Sequence, residues 1–489
     1  MNGDGDIRWG TPAARWVLAA TVLGSGVAFL DGTIVNVALR AIGSDLHTGV
    51  SGLQWTVDAY LVTLTALLLF GGALGDRFGR RLMFIAGLVS FTIASVACGF
   101  APDATVLAVS RAVQGAAGAL LVPGSLAIIG SSFHDADRGR AIGAWSGLAG
   151  IAGAIGPFLG GWLIDTFSWR WVFFVNVPIA VVAVAITVRH VPESRAQNDQ
   201  PIDGWGALLA ALGLTTLCWA LIESDGGVGA AQVVSGLVGL GAIAAFLIVE
   251  ARSSHPMLPL RLFRNRAFSG SNAMTLAVYA ALGAALFMVV LELQLALGYS
   301  ALAAGSSFVP ITVLMLLLSS RSGALAQRIG PRVQMTVGPM IIAAGLVLFA
   351  RIAPGQHYVG TVLPAVVVFG LGLACTVAPL TSTVLASVDD AELGVASGVN
   401  NAASRLAGLL AVAVLPAVVH LDTTSAPAVL THHVAIALRI CAVLSVAGGV
   451  ISWFTVGGER RVPAVRPADL LMPCHDPGRS DGEALDAAH

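Results

Sequence analysis

Lysine is absent from this chain of 489 residues, so all 26 of its basic residues are arginine. A Walker A phosphate loop needs a lysine beside the nucleotide phosphates, and a Schiff base needs a lysine amine. Both kinds of chemistry are therefore excluded, and a pump driven by ATP would need a separate ATPase subunit. The formal net charge of −1 gives no reason to expect a nucleic-acid partner.

Charged residues of either sign are also scarce, at 11% of the chain against about 25% in ordinary soluble proteins. Hydrophobic residues make up 56% and form one apolar segment after another. A helix that crosses the hydrocarbon core needs about 20 mostly apolar residues, and lipid offers no partner to free backbone polar groups. The sequence therefore predicts an all-α integral membrane protein that crosses the cell inner (plasma) membrane many times.

Clusters of metal-binding side chains are missing as well. The five cysteines form no Cys-x-x-Cys pair, which argues against a disulfide framework or a zinc site. The acidic group Asp389, Asp390 and Glu392 lies in a short loop, and His432-His433 has no obvious third ligand. A membrane-embedded enzyme acting on lipids is therefore disfavoured, and no metal or cofactor is expected.

Fourteen apolar segments are present, arranged as six, two and six. They lie near 15–38, 53–74, 82–100, 104–132, 140–163, 170–189, then 204–223 and 231–250, and finally 269–295, 301–320, 333–351, 358–387, 394–419 and 434–456. The predicted domains are a six-helix bundle at 1–190, a linker with two inserted helices at 191–268, a second six-helix bundle at 269–456, and a flexible cytoplasmic tail at 457–489.

The arginines predict which side of the membrane each loop occupies. With 14 spans and a cytoplasmic N-terminus, 20 of the 26 arginines fall in inner loops and tails, and only Arg40, Arg170 and Arg351 fall outside. Positive charge accumulates on the cytoplasmic side of membrane proteins. Both termini are therefore predicted to be cytoplasmic.

An internal repeat supports the division into two six-helix bundles. Glycine and arginine recur at the same spacing after the second helix of each bundle, within 72–81 and 323–332. Transporters are often built from such repeats, with the transport site between them. The first copy reads Gly72-Ala73-Leu74-Gly75-Asp76-Arg77-Phe78-Gly79-Arg80-Arg81.

This repeated loop resembles the signature of the major facilitator superfamily. The segment Arg111 to Gly115 is similar to the fourth-helix motif of that family, and 30–39 and 169–178 are similar to motifs of its 14-span drug:proton antiporters. Its fifth-helix antiporter motif is matched by Gly150, Gly153, Gly156, Pro157, Gly160 and Gly161. The resemblance extends to actinobacterial drug and antibiotic exporters, and it implies a major facilitator fold of 14 helices.

Three charged residues within predicted spans are candidates for proton coupling. Asp31 lies in the middle of the first helix, where an ionisable group is costly and usually marks an ion or substrate pathway; the alternative is a static hydrogen bond. The resemblance implicates Arg111 in proton coupling, because a permanently charged guanidinium tunes a carboxylate; the alternative is a fixed scaffold. Asp58 either assists coupling or lies in water at the membrane interface.

Other positions are predicted to bind substrate or to govern conformational change. Asn36, Glu292 and Gln294 are candidates for substrate binding. A latch between conformations is predicted for Gly72, Asp76, Arg77, Gly79, Arg80 and Arg81, with Asp76 at a helix N-terminus and Arg77 beside a carboxylate. The glycines of the fifth helix either seal the two halves against each other or serve ordinary helix packing.

The most favoured hypothesis is a secondary transporter that exports small amphipathic drugs or an antibiotic by alternating access. Its expected partners are the small-molecule substrate, protons and the lipid bilayer, and it is expected to act as a monomer driven by the proton gradient. An importer of a small organic metabolite is the alternative. The antiporter-type fifth helix argues against import.

Overall fold

A computed structural model describes residues 7–195, 203–223, 229–253, 256–389 and 392–457. These ranges are almost entirely helical, as predicted. Fourteen helical segments are long and apolar enough to cross a membrane, which confirms the predicted all-α membrane architecture. The predicted flexible tail lies outside the described residues, apart from Gly457.

The first six spans are built from eight helices that pack on one another. They are α1 (Pro12–Asp45), α2 (Val50–Phe78), α3 (Arg80–Gly99), α4 (Ala104–Gly118), α5 (Leu121–Ser132), α6 (Asp135–Thr166), α7 (Trp171–Phe174) and α8 (Asn176–His190). We call α1 to α8 the first half. The span predicted at 104–132 is interrupted between α4 and α5, where the Ala119 carbonyl comes so close to α2 that a Cβ atom on Gly71 would lie 2.3 Å from it.

Two further spans follow as a pair of helices, and the last six form the second half. The inserted pair is α9 (Gly204–Ile222) and α10 (Ala230–Arg252). The second half contains α11 (Arg266–Leu295), α12 (Ala301–Ser306), α13 (Val309–Ile329), α14 (Pro331–Phe349), α15 (Leu363–Ala386), α16 (Leu393–Val418) and α17 (Pro427–Thr455).

Helix α9 packs against both halves. Val62 of α2, Cys218 of α9 and Leu409 of α16 belong to one buried apolar cluster. The Glu223 carboxylate, directly after α9, accepts hydrogen bonds from Ser51 Oγ (2.9 Å) and Trp55 Nε1 (3.0 Å). Helix α9 thus covers the seam where α2 meets α16.

Three internal prolines leave backbone carbonyls without their helical donors, and side chains of neighbouring helices donate to these carbonyls instead. Pro157, Pro379 and Pro416 lie inside α6, α15 and α16, and each lacks the N–H that would bond to the carbonyl four residues earlier. Side chains donate to those carbonyls instead, from Thr33 to Gly153 (2.7 Å), from Ser322 to Cys375 (3.2 Å) and from Gln54 to Val412 (2.7 Å). Such partners are needed because lipid provides none.

The hydrogen bonds between the two halves lie toward one end of the bundle, where α1 finishes at Asp45 and α2 begins at Val50. We call this the far end. Gln54 of α2 binds the carbonyls of Val412 and Ala413 of α16 there. Toward the opposite end the halves also meet, since a Cβ atom on Gly398 of α16 would lie 2.8 Å from the Leu69 side chain of α2.

Candidate functional site

Asp31 lies in the middle of α1 and is completely buried. Its position follows from the close packing of α1 on α6. Helix α6 presents glycines to α1, and the two helices lie so close together that no side chain would fit between them at those glycines. A Cβ atom on Gly156 would lie 2.1 Å from Thr33 Oγ1, and one on Gly160 would lie 2.5 Å from Ile34 Cγ1. With that face of α1 against α6, the Asp31 carboxylate points into the interior of the first half.

Arg111 of α4 forms an ion pair with Asp31, through Arg111 Nη1 and Asp31 Oδ2. Its Nε donates to the Thr56 carbonyl of α2 at 2.9 Å, and its guanidinium lies 4.3 Å from the centre of the Tyr60 ring. Three helices therefore meet at one buried cation. The predicted pair of proton-coupling residues is brought together in a single contact.

Two amide side chains complete the shell around the Asp31 carboxylate. Gln114 Nε2 donates to Asp31 Oδ1 at 2.9 Å, and Asn176 Nδ2 donates to the same atom at 3.2 Å. Both amides also donate to Ser95 Oγ, at 3.2 and 3.0 Å, and Ser95 in turn donates to the Phe173 carbonyl. These hydrogen bonds and the opposite charge of Arg111 take the place of the water that the buried Asp31 carboxyl has lost.

Gln114, Asn176 and Ser95 were not among the predicted site residues. Gln114 is three residues from Arg111 and so lies on the same face of α4. That spacing could have predicted that Gln114 would lie beside the same carboxylate as Arg111. Asn176 stands within the motif at 169–178 but carries no charge to draw attention. Ser95 gave no signal, because a serine in a membrane helix usually bonds its own backbone.

Asp58 is also completely buried, but it lies apart from the Asp31 network. Neither of its carboxylate oxygens has a hydrogen-bond partner in the part of the chain that the structure describes. The side chain stands one turn from Gln54, which binds α16, and one turn from Val62, which packs beside Cys218 of α9. The position of Asp58 is therefore the seam between α2, α9 and α16, and not the aqueous interface that was one of its two predicted locations.

The predicted substrate-binding residues lie where α1 and α11 meet. Gln294 Nε2 donates to the Val37 carbonyl at 3.0 Å, and Arg40 Nη1 donates back to the Gln294 carbonyl at 2.5 Å. Asn36 Nδ2 donates to the Gly32 carbonyl of its own helix. These contacts join the two halves at the far end.

Glu292 lies two residues before Gln294, on α11. It is 1% exposed, and its Oε2 atom has no hydrogen-bond partner among the described residues. In the same part of the chain no ion pair joins Glu292 to an arginine.

Helices α6 and α12 form another contact between the halves at the far end. The Asp165 carboxylate of α6 accepts hydrogen bonds from the backbone N–H groups of Ala301 (3.1 Å) and Leu302 (2.9 Å). The backbones approach so closely that a Cβ atom on Gly161 would lie 2.5 Å from Leu302 Cα. A Cβ atom on Gly305 would lie 2.1 Å from the carbonyl oxygen of Pro157.

The residues of the predicted antiporter motif thus divide between two neighbours. Gly153, Gly156 and Gly160 face α1 within the first half, whereas Pro157 and Gly161 face α12 of the second half. No heavy atom lies within 4 Å of a Cβ built on Gly150. This helix therefore packs through its motif residues against a neighbour in its own half and against the other half.

The side chains of the predicted latch have partners that differ from the expected ones. The Asp76 carboxylate pairs with Arg80, one turn away, at 2.7 Å from Nη2 and 2.8 Å from Nε. Arg77 lies over the Phe78 ring, 5.6 Å from its centre, and no ion pair joins it to a carboxylate among the described residues. The local Arg80 contact satisfies Asp76 without a helix N-terminus.

Glu193, which follows α8, binds the N-terminus of α3. Its carboxylate accepts hydrogen bonds from the backbone N–H groups of Arg81 (3.0 Å) and Leu82 (3.1 Å) at the start of α3. The turn before α3 is made by Gly79 at φ +118°, a conformation that favours glycine. Gly72 faces the side chain of Pro123 at ordinary contact distance. The latch loop is therefore fastened inside the first half.

Comparison with known proteins points to one family. The profile of the Major Facilitator Superfamily matches residues 21–412. The puromycin resistance protein pur8 of Streptomyces alboniger is 34% identical over 428 residues, covering 86% of this chain and 84% of that protein. The cephamycin export protein CmcT of Amycolatopsis lactamdurans is 34% identical over 449 residues, covering 90% and 92%. The tetracenomycin C resistance and export protein of Streptomyces glaucescens is 33% identical over 402 residues, covering 81% and 74%.

Solved structures share the architecture at low sequence identity. The POT family transporter PepTSo matches with a TM-score of 0.67 at 12% identity, covering 92% of this chain and 98% of that one. The inward-open xylose transporter XylE of E. coli matches with a TM-score of 0.63 at 15% identity, over the same shares of the two chains. These two likenesses concern the fold alone.

Proposed function

Since the chain belongs to the Major Facilitator Superfamily of membrane transporters, we propose that it exports small amphipathic drugs or an antibiotic in exchange for protons. The observation that carries the proposal is the fully buried Asp31–Arg111 ion pair within the first half. Relatives that are named for puromycin resistance and for cephamycin export support the direction and the substrate class.

Proton binding at Asp31 is the chemical step of the proposal. While Asp31 is ionised, Arg111 and the amides of Gln114 and Asn176 hold it in place. Protonation removes the charge that Arg111 compensates, so the ion pair weakens and α1 is freed to shift relative to α4. Arg111 keeps its bond to the Thr56 carbonyl, and it therefore remains anchored to α2.

The far end is the outer side of the membrane if the N-terminus is cytoplasmic, as the arginine distribution predicts. The contacts of Gln294, Gln54 and Asp165 would then close the transporter to the outside. Opening must break these contacts. Asp58 and Glu292 lie beside contacts between the halves, and neither the Asp58 oxygens nor Glu292 Oε2 has a hydrogen-bond partner among the described residues. Because burial in that condition favours the neutral carboxyl, a proton taken up from outside while the far end is open would favour closing it again.

The remaining roles follow from this cycle. Asn36, Glu292 and Gln294 contact the substrate once the far end opens, and the loop from Gly72 to Arg81 sets the balance between conformations. The driving force is the proton gradient, worth about 2.3 kcal/mol per charge for each 100 mV of membrane potential. No cofactor takes part, and a single chain is the working unit.

Substitution of Asp31 by asparagine tests the proposal. Asn keeps the shape and can still accept hydrogen bonds, but it cannot release a proton. We expect efflux of a fluorescent lipophilic compound from cells to fall to the level of empty-vector cells, whereas wild-type efflux stops only with a protonophore. The amount of protein in the membrane should not change.

Asp103→Asn is the matched control. Asp103 is exposed and caps α4 by accepting from the Val106 N–H group at 2.8 Å, a role that asparagine performs equally well. This variant should retain protonophore-sensitive efflux. Normal efflux by Asp31→Asn, or accumulation of the compound by energised wild-type cells, would refute proton-coupled export.

A further inference from the structure

Arg405 lies in α16, on the side of the second half that faces the first half. Its guanidinium stands over the Phe29 ring of α1, 5.5 Å from the ring centre. One turn along α1, a Cβ atom added to Gly32 would lie 4.0 Å from Arg405 Nη1. Gly32 directly follows Asp31, so this cation reaches across the interface at the level of the buried ion pair.

No hydrogen bond or ion pair holds the Arg405 guanidinium among the described residues, and the side chain is half-exposed. A guanidinium carries five N–H donors and stays charged at any physiological pH. Contact with the Phe29 ring satisfies none of these donors and is worth only about 0.5–1 kcal/mol at an exposed site. An intramembrane charge in that condition usually faces a water-filled pathway and marks an ion or ligand site.

The acidic residues within the spans do not compensate Arg405. Asp31 is paired with Arg111. Asp58 is completely buried at the seam with α9, and Glu292 is buried on α11 near the far end. The charge that the interface presents between α1 and α16 is therefore positive.

We infer that Arg405 binds an anionic group of the transported compound, such as a carboxylate, a sulfonate or an ionised phenol. The planar guanidinium matches two oxygens of such a group at once. The Phe29 ring beside the guanidinium would pack against a flat apolar part of the same molecule. This inference rests on the proposed function, because it names the class of compound that the exporter carries.

Two dyes with the same ring skeleton and opposite charge provide the test. Fluorescein is an anionic xanthene, and rhodamine 123 is a cationic one. We measure binding of each dye to the purified full-length protein in detergent by fluorescence anisotropy. Wild type should bind fluorescein about tenfold or more tightly than rhodamine 123, the difference that one charge-assisted contact supplies.

Arg405→Gln should weaken fluorescein binding by about tenfold or more and leave rhodamine 123 binding unchanged or stronger. Arg405→Lys keeps the charge without the planar fork, so it should retain part of the preference. Arg439→Gln is the matched control. Arg439 is an exposed arginine in a groove between α14 and α17, and its removal should change neither dye. Equal fluorescein affinity of wild type and a monodisperse Arg405→Gln protein would overturn the inference.

Transport by the same preparations in liposomes separates this inference from the proposed function. If a proton gradient drives rhodamine 123 transport while fluorescein neither binds nor moves, export stands and the role of Arg405 is wrong. If the anisotropy preference for fluorescein depends on Arg405 but neither dye moves faster than through protein-free liposomes, the binding site stands and proton-coupled export is wrong.

Discussion

The two six-helix halves each bury a polar cluster, and the clusters differ in charge. The first half buries Asp31 with Arg111, surrounded by amides. In the second half, Asn400 Nδ2 donates to Asn272 Oδ1 at 3.2 Å and to Thr275 Oγ1 at 2.7 Å, joining α16 to α11. One cluster contains a group that can exchange a proton, and the other contains only neutral groups that do not titrate near neutral pH.

The difference indicates that the two halves, which share one architecture, respond differently to a proton. A neutral amide cluster fixes the position of two helices at all times, since nothing in it changes charge. A buried ion pair is sensitive to one proton, because losing either charge leaves the other uncompensated. The second half also buries a titratable carboxyl within a span, Glu292, but no cation is paired with it in the described part of the chain.

Arg111→Gln should produce the largest effect. It leaves the Asp31 carboxylate buried without its counter-charge, a change that costs about 3–5 kcal/mol in comparable buried pairs. We expect a marked loss of thermal stability in detergent, measured as a lower unfolding temperature by fluorescence. We also expect loss of efflux.

The double variant Asp31→Asn, Arg111→Gln distinguishes charge imbalance from loss of shape. Removing both charges should restore most of the thermal stability while efflux remains absent. If the double variant is no more stable than Arg111→Gln, the ion pair is not what the first half depends on, and the comparison between halves fails.

A smaller effect is expected at the turns that the two halves share. Gly79 follows α2 and Gly330 follows α13, and each of these helices ends the second span of its half. Their φ angles are +118° and +87°, and alanine at such angles costs about 1–3 kcal/mol. At Gly79, the added Cβ would also lie 2.9 Å from a Glu193 carboxylate oxygen. Thermal denaturation should therefore show a larger loss for Gly79→Ala than for Gly330→Ala. The reverse order would mean that Glu193 does not hold this turn.

The smallest effect should come from Asn400→Ala in the neutral cluster. Loss of its two donated hydrogen bonds should reduce stability by about 1 kcal/mol. Efflux should remain sensitive to a protonophore, because no titratable group is touched. Efflux that became insensitive would show that the neutral cluster takes part in coupling, contrary to the division proposed above.

The sequence predicted the helices better than their contacts. Runs of apolar residues are a local signal, and each of the 14 spans could be read from its own segment. The pairing of Asp31 with Arg111 depends on how α1 packs against α4, which the spacing along the chain does not specify. The burial of Asp58 was harder to predict, because it depends on where the inserted helix α9 packs against α2 and α16.

The latch loop illustrates the same limit at close range. Its glycine turn was evident from the sequence, but the partner at the start of α3 was not. Glu193 reaches that site only because α8 ends beside α3, more than a hundred residues away along the chain. Local patterns favoured Asp76, which finds Arg80 one turn away instead.

Among the carbonyls released by internal prolines, that of Val412 has its donor in the opposite half. Thr33 and Gly153 belong to the same half, so their bond persists whatever the halves do. The proposed separation of the halves at the far end would remove Gln54 from Val412, and water would then have to hydrogen-bond the exposed carbonyl. Entry of water at this one carbonyl would therefore accompany opening, and closing would have to expel it.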